Sequence, residues 1–217
     1  MAGDNKVWYL KNLDILEGIP DEEIMKIATK VRECQYNKDE LIYSPDETLE
    51  HIYVVKRGEV RLYHSKNGKR TVFDVLGPGS IFGGIRLTGE KSNHFAETTH
   101  PTKVCIFSEE DYLEVLKAYP ESMLRFLKKV TRKFEDYEAR LKQRGDSAEE
   151  LIMNELGRLM KSRSRSLFGI FKPSALHVTH EELAELTGLN RVTVTRSLKR
   201  LREEGQIAIE KSSIQIL

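Results

Sequence analysis

Three things are scarce in this sequence of 217 residues: cysteine, long apolar runs and net charge. The only cysteines are Cys34 and Cys105, which stand far apart. Two cysteines exclude a disulfide scaffold, and they exclude any iron–sulfur cluster that is held by four cysteines of one chain. We interpret both as reduced core residues of a cytoplasmic protein.

No uninterrupted apolar run approaches the ~20 residues of a membrane span, and no basic-then-apolar leader is present. A membrane partner and export are therefore not expected. Lys and Arg number 35 against 34 Asp and Glu, and this net charge of +1 by itself indicates no nucleic-acid partner. With 39% hydrophobic residues the chain is globular, with one large domain or two small ones.

Residues 31–108 are a series of short β-rich runs separated by turn signals. A spacing of roughly ten residues between runs predicts an all-β barrel or jelly roll. Asn67-Gly68 between two runs predicts a type I′ hairpin, because both central residues of that turn need positive φ. Helices are predicted over 21–31 and from 109 onwards.

Apolar residues then recur at spacings of four and three along a stretch that is otherwise charged. Sustained over about three heptads, this pattern is typical of a coiled-coil seam. It favours a dimerisation helix over 121–144. The alternative is an amphipathic helix lying on its own barrel, which needs a wider apolar stripe. The seam residues are Met123, Leu127, Val130, Phe134, Tyr137 and Leu141.

The pattern breaks at Gly145-Asp146, which we predict to be a hinge between domains. Asp146 and Glu149 have the spacing of an N-cap and its capping-box partner for a new helix. That helix is predicted to end in the basic run 161–166. We interpret this run as a solvated loop, with contact to DNA phosphates as the alternative.

Residues 179–202 predict a helix-turn-helix. Thr179 and Glu182 form a second capping box, and Gly188 can end the first helix through positive φ. Asn190 can cap the second helix, and the small Ala184 lies four positions before the turn glycine, where two helices cross closely.

The second helix separates two faces at 100° per residue. Val194, Leu198 and Leu201 form the stripe that packs on the first helix. The helix carries five basic residues and no acid between 191 and 202, which favours contact with DNA over a merely solvated face. The outward residues are Arg191, Val192, Thr195, Arg196, Lys199 and Arg202.

Two alternating runs after Gly205 predict a β-hairpin, the wing of a winged helix-turn-helix. The predicted fold class is therefore α+β. A jelly roll of the cyclic-nucleotide-binding type occupies 1–120, a dimerisation helix 121–144, and a winged helix-turn-helix domain 145–217.

This order of domains resembles the Crp/Fnr family of bacterial transcription regulators over essentially the whole chain. The resemblance rests on Gly58-Glu59-Val60, on residues 77–83 and on residues 183–201. Within the family, residues 80–83, 87–92 and 190–196 resemble nitrogen regulators of the NtcA type, whose effector is 2-oxoglutarate. Other members respond to cyclic AMP, haem or an iron–sulfur cluster.

The resemblance implies an effector pocket between the barrel and the dimerisation helix. Cyclic-AMP regulators have a ribose-binding glutamate and a phosphate-binding arginine where this chain has Gly84 and Ser92-Asn93, so cyclic AMP is not expected. His94 replaces an arginine that pairs with 2-oxoglutarate, which weakens the case for a dicarboxylate. Haem at His94 is a minor alternative, and action without a ligand is another. The implied pocket residues are Phe82, Gly83, Gly84, Ile85, Asn93, His94, Lys133, Tyr137 and Glu138.

For function, the resemblance implies a homodimer that reads an inverted repeat in double-stranded DNA, with RNA polymerase as a further partner. Arg196 would read a guanine, and Val192 suits a thymine methyl, which places the half-site nearer to the GTA of nitrogen regulators. The base-contacting residues would be Arg191, Val192, Thr195, Arg196 and Lys199. The phosphate-contacting residues would be Thr179, His180 and Thr193.

The main alternative from another class is a cupin-like enzyme that uses the barrel as a small-molecule or metal site. Such sites usually need clustered histidines and an acid on barrel strands. His51 and His64 lie on different predicted strands, and the sequence has no Gly-x-Ser-x-Gly, Walker or His-Glu-x-x-His motif. We therefore predict neither a catalytic nor a metal site.

Overall fold

The computed structural model describes residues 6–47, 51–84, 91–142, 145–164, 175–210 and 213–217. Within these residues no helix is long and apolar enough to cross a membrane. The helices are α1 (Lys6–Lys11), α2 (Asp21–Lys30), α3 (Glu109–Ala118), α4 (Pro120–Lys142), α5 (Ala148–Ser164), α6 (His180–Thr187) and α7 (Arg191–Glu203). The strands are β1 (Arg32–Tyr36), β2 (Leu41–Tyr43), β3 (His51–Arg57), β4 (Val60–Lys66), β5 (Lys69–Leu76), β6 (Ile81–Gly83), β7 (Phe95–Thr98), β8 (Thr102–Ser108), β9 (Leu176–His177), β10 (Ile207–Glu210) and β11 (Ser213–Ile216).

The first eight strands form the predicted jelly roll. They make two antiparallel sheets, in the orders β1-β8-β3-β6 and β2-β7-β4-β5. The β4–β5 hairpin pairs Lys66 with Lys69, and Asn67 and Gly68 between them have φ of 53° and 76°. The predicted hairpin is therefore confirmed, with both turn residues in the left-handed region.

Two apolar cores hold the barrel together. One lies between the sheets, where the rings of Tyr53 and Phe82 stack with centroids 5.1 Å apart. The other lies between the first sheet and the helices α1, α2 and α3. There the hydroxyl of Tyr9 donates to the carbonyl of Val55 at 2.6 Å, which ties α1 to β3.

Helix α4 lies on its own barrel along part of its apolar stripe and leaves the rest of the stripe exposed. Met123 packs against the core beside α3, and the Tyr137 hydroxyl donates to Asp74 of β5 at 3.3 Å, so these two predicted seam residues face their own barrel. Both side chains are half-buried against the barrel, and their place in the seam stays a prediction. Its exposed apolar residues are Leu124, Leu127, Val130, Phe134 and Leu141.

Two details of α5 differ from expectation. The capping box is formed by Ser147 and Glu150, one residue later than predicted, since the Glu150 amide donates to the Ser147 hydroxyl at 3.2 Å. The helix also continues to Ser164, through part of the run that was predicted to be a loop. Its last turn packs on the barrel, where a Cβ on Gly77 would lie 2.8 Å from the carbonyl oxygen of Ser162.

The C-terminal unit packs α5, α6 and α7 on a three-stranded sheet in the order β10-β11-β9. The wing hairpin is confirmed by pairing of Ile207 with Ile216 and Glu210 with Ser213. Strand β9 was not predicted, because two residues are too short for a periodic signal. The core buries Ile152, Leu156, Leu159, Leu176, Leu183, Val194, Leu198, Leu201, Ile207 and Ile214.

Candidate DNA-binding interface and effector cleft

The first helix of the helix-turn-helix is fixed at both ends as its sequence predicts. The Glu182 amide donates to the Thr179 hydroxyl at 3.1 Å, and the Thr179 amide donates to the Glu182 carboxylate at 2.6 Å. Gly188 ends α6 with φ of 75°, and its amide donates to the carbonyl of Ala184 at 2.9 Å. The chain therefore turns sharply into α7 without strain.

The second helix begins at the predicted cap. The side-chain oxygen of Asn190 accepts from the Thr193 amide at 2.8 Å and from the Thr193 hydroxyl at 3.0 Å. Val194, Leu198 and Leu201 are buried in the C-terminal core, as their spacing predicts. This packing determines which residues of α7 face outwards.

The outward face of α7 is basic and exposed. Val192 is 59% exposed, and Arg191, Thr195, Arg196, Lys199 and Arg202 are also exposed. Its ion pairs are long and lie at the surface, with Arg191 3.9 Å from Glu181 and Lys199 3.8 Å from Glu203. Such pairs contribute little, so the cations stay available to a polyanion.

The three residues predicted to contact phosphates lie at the start of the two helices. Thr179 and Thr193 take part in the caps of α6 and α7. A ring nitrogen of His180 is hydrogen-bonded to the Thr195 hydroxyl at 2.9 Å, which ties the start of α6 to the outward face of α7. Helix N-termini carry free amides and a partial positive charge, and both features suit a phosphate.

Four of the predicted effector residues line one cleft. Phe82 and Gly83 of β6 face Lys133 and Tyr137 of α4 across a cleft of about 920 Å³ that also borders α5. Glu138 lies exposed on α4 outside the lining, and Gly84, Asn93 and His94 also lie outside it. Ile85 lies outside the described residues.

His94 belongs to an aromatic cluster of the barrel. Its Nε2 is hydrogen-bonded to the Tyr43 hydroxyl at 2.9 Å, and its Nδ1 to the Asn93 side chain at 3.1 Å. Burial and the neighbouring His64 lower the pKa of His94. Both ring nitrogens therefore have protein partners, which is not the arrangement of a free axial ligand.

A buried carboxylate that sequence reasoning missed lies at the edge of the cleft. Asp74 of β5 is 7% exposed and forms an ion pair with Lys133. Burial first, and then the charge of Asp74, raise the pKa of Tyr137. The signal that was missed is the alternation of β5. Asp74 lies between Val72 and Leu76 on the face of the strand that is buried.

Two family models match the chain: a cyclic nucleotide-binding domain over residues 33–119 and a Crp-like helix-turn-helix domain over residues 155–217. The global nitrogen regulator of Synechococcus elongatus is 30% identical over 193 residues, covering 84% of each chain. The cyclic AMP receptor protein of Thermus thermophilus is 26% identical, covering 95% of this chain and 94% of that relative.

Solved structures share the fold at lower identity. The structure of FixK2 from Bradyrhizobium japonicum superimposes with a TM-score of 0.72 at 22% identity, covering 86% of this chain and 92% of that one. The similarity therefore extends over both matched domains and the long helix between them.

The described residues Gly84, Ser92, Asn93 and Lys133 offer no unpaired cation to a cyclic phosphate. Gly84 offers no side chain to a ribose, and the Ser92 hydroxyl donates to the His94 carbonyl at 2.9 Å. The Asn93 carbonyl is hydrogen-bonded to His64 at 3.1 Å, and Lys133 is paired with Asp74. An anionic phosphate is held best by an unpaired cation, which these four residues do not supply.

Proposed function

The chain belongs to the Crp/Fnr family of transcription regulators, and from that premise we propose how its residues read DNA. It is a DNA-binding regulator that acts as a homodimer on an inverted repeat. The observation that carries our proposal is the exposed basic face of α7, held outwards by capped helix ends and a buried apolar stripe. A helix presented in this way fits the major groove.

We propose that Arg196 reads a guanine through O6 and N7, the commonest specific contact in the major groove. Val192 would contact a thymine methyl, and Arg191, Thr195 and Lys199 would complete the set of base contacts. This set suits a half-site of the nitrogen-regulator type. Thr179, His180 and Thr193 would fix the register on phosphates.

The exposed apolar face of α4 is the proposed dimer contact. Phe134 is 63% exposed, and Leu127, Val130 and Leu141 lie beside it on the same stripe. Pairing along this stripe would remove those side chains from water and place the two α7 helices in successive major grooves. Residues 121–144 would thus join a sensing domain (1–120) to a DNA-binding domain (145–217) across the hinge at Gly145-Asp146.

We further propose that the protein works in the cytoplasm with RNA polymerase and that its barrel has a sensing role rather than a catalytic one. A cupin-like metal enzyme is the competing function. Metal analysis of the purified protein separates the two. A stoichiometric transition metal that is retained after dialysis against a chelator, without the absorbance of haem, would contradict the sensing role.

The base-reading role of α7 is tested by substitution. Operators are selected with the wild-type protein from a pool of random duplexes, and the affinity of Arg196→Ala is measured on each single-base variant. We expect a loss of about 1–3 kcal/mol and relaxed preference at one base pair. Arg200→Ala is the matched control, because Arg200 lies on α7 but pairs with Glu149 of α5 at 3.2 Å. Equal losses on every sequence would contradict base reading by Arg196.

A further inference from the structure

Asp74 lies where the barrel, α4 and α5 contact one another. It lies on β5 of the barrel, and only 7% of its surface is exposed. Its carboxylate forms an ion pair with the ammonium of Lys133 and accepts a hydrogen bond from the hydroxyl of Tyr137 at 3.3 Å. Both of these residues lie on α4. The guanidinium of Arg158, from α5, lies 3.9 Å away.

The neighbouring backbone strengthens this junction. Arg140 of α4 donates to the carbonyl of Phe73, and the Ser162 hydroxyl of α5 donates to the carbonyl of Val75 at 3.4 Å. The residues on either side of Asp74 are therefore held by the same two helices. The position of the carboxylate is determined by three elements at once.

Two further cations along the cleft are paired with carboxylates of the chain as well. Lys129 lies 2.9 Å from Asp14, and Arg158 lies 2.5 Å from Glu155. A half-buried cation that has a fixed carboxylate partner gains little from a ligand's anion, because the ligand must lose its hydration and displace that partner. The cleft is roomy, yet Lys129, Lys133 and Arg158 are already paired with carboxylates of the chain.

We propose that Asp74 is a built-in counter-ion of Lys133, and that this pairing keeps small anions from binding at Lys133. A regulatory role for the cleft rests on the proposed function. Anion binding by the cleft can be measured without it. With Asp74 in place, dicarboxylates and cyclic phosphates do not bind at Lys133. Without it, Lys133 loses its carboxylate partner and becomes available to an anion.

Isothermal titration calorimetry tests the proposal, with 2-oxoglutarate, succinate and cyclic AMP as probes. We expect no binding by the wild-type protein at about 1 mM ligand. Asp74→Asn should bind at least one of the anions about tenfold more tightly or better, which corresponds to about 1.4 kcal/mol. The gain should disappear in Asp74→Asn combined with Lys133→Gln. Glu22→Gln, which neutralises an exposed carboxylate of α2, is the matched control and should behave as wild type.

Two results would overturn the proposal: saturable binding of an anion by the wild-type protein at or below about 1 mM, or no gain in folded Asp74→Asn. Thermal melting shows whether the variants fold, and Asp74→Ser is made in parallel because its hydroxyl can still pair with Tyr137. If both variants are unfolded, the wild-type titration decides, since binding overturns the proposal and its absence at millimolar ligand supports it. The titrations are done without DNA. A result that overturns this proposal is therefore distinct from a failure of the protein to bind its operator.

Discussion

The outward face of α7 and the barrel use cations in opposite ways. Along α7, Arg191 and Lys199 are exposed and have only long surface pairs. In the barrel, Arg61 is paired with the buried carboxylate of Glu97 and also lies 3.3 Å from Glu185 of α6. The net charge of +1 is therefore a sum of cations that are paired within the chain and cations that are left for a partner. Composition alone does not reveal this division.

The largest effect should come from breaking a buried pair. The side chains of Arg61 and Glu97 are 12% and 6% exposed, so Arg61→Met leaves a buried carboxylate with less compensation. We expect the free energy of unfolding in urea to fall by about 3–5 kcal/mol. Arg202→Met, which removes an exposed charge of α7, should change it by less than about 0.5 kcal/mol. Similar losses in both variants would contradict the division.

The next prediction concerns the recognition of DNA bases by α7 rather than the stability of the fold. Val192→Glu replaces an exposed apolar side chain with an acceptor that suits a cytosine amino group. We expect the preferred base pair at one position of each half-site to change, with a loss of about 1–3 kcal/mol on the original operator. Thermal melting should be unchanged. An unaltered operator preference in a binding-site selection would show that Val192 lies outside the groove.

A smaller effect is expected at the start of α5, which lies between the two regions. Ser147→Ala removes the hydroxyl that accepts from the Glu150 amide, and we expect a loss of about 1 kcal/mol in urea unfolding. Asp146→Ala is the matched control, since the structure places the cap one residue later. If Asp146→Ala costs more than Ser147→Ala, the cap is at Asp146.

The smallest effect is a pH dependence from His94. Burial and His64 lower its pKa below the ordinary value of 6.5, so the folded protein binds fewer protons than the unfolded chain between the two values. The free energy of unfolding should therefore fall as pH drops through 6.5, and His94→Gln should reduce this slope. An unchanged slope in His94→Gln would assign it to another group.

Local signals explain why the DNA-binding helices could be predicted. Thr179, Gly188 and Asn190 act within a few residues of their own positions, and the apolar stripe of α7 has a clear helical period. The Asp74 junction has no such signal, because Lys133 and Arg158 lie on helices remote in sequence. Strand β9 likewise forms only because β11 pairs with it.

The predicted seam of α4 shows what periodicity alone does not determine. Met123 and Tyr137 fit the seven-residue pattern but are used by the barrel, whereas Leu124, outside the pattern, is exposed. Periodicity indicates that a helix has an apolar stripe, but not which part of the stripe meets its own chain. That choice depends on where α4 lies on the barrel.

Selection of operators by the wild-type protein from random duplexes tests whether two α7 helices read DNA as a symmetric pair. We predict a consensus of two inverted half-sites whose centres lie about one helical turn apart, with a conserved G·C pair in each that Arg196 requires. A consensus without two-fold symmetry, or no enrichment over the starting pool, would contradict the account.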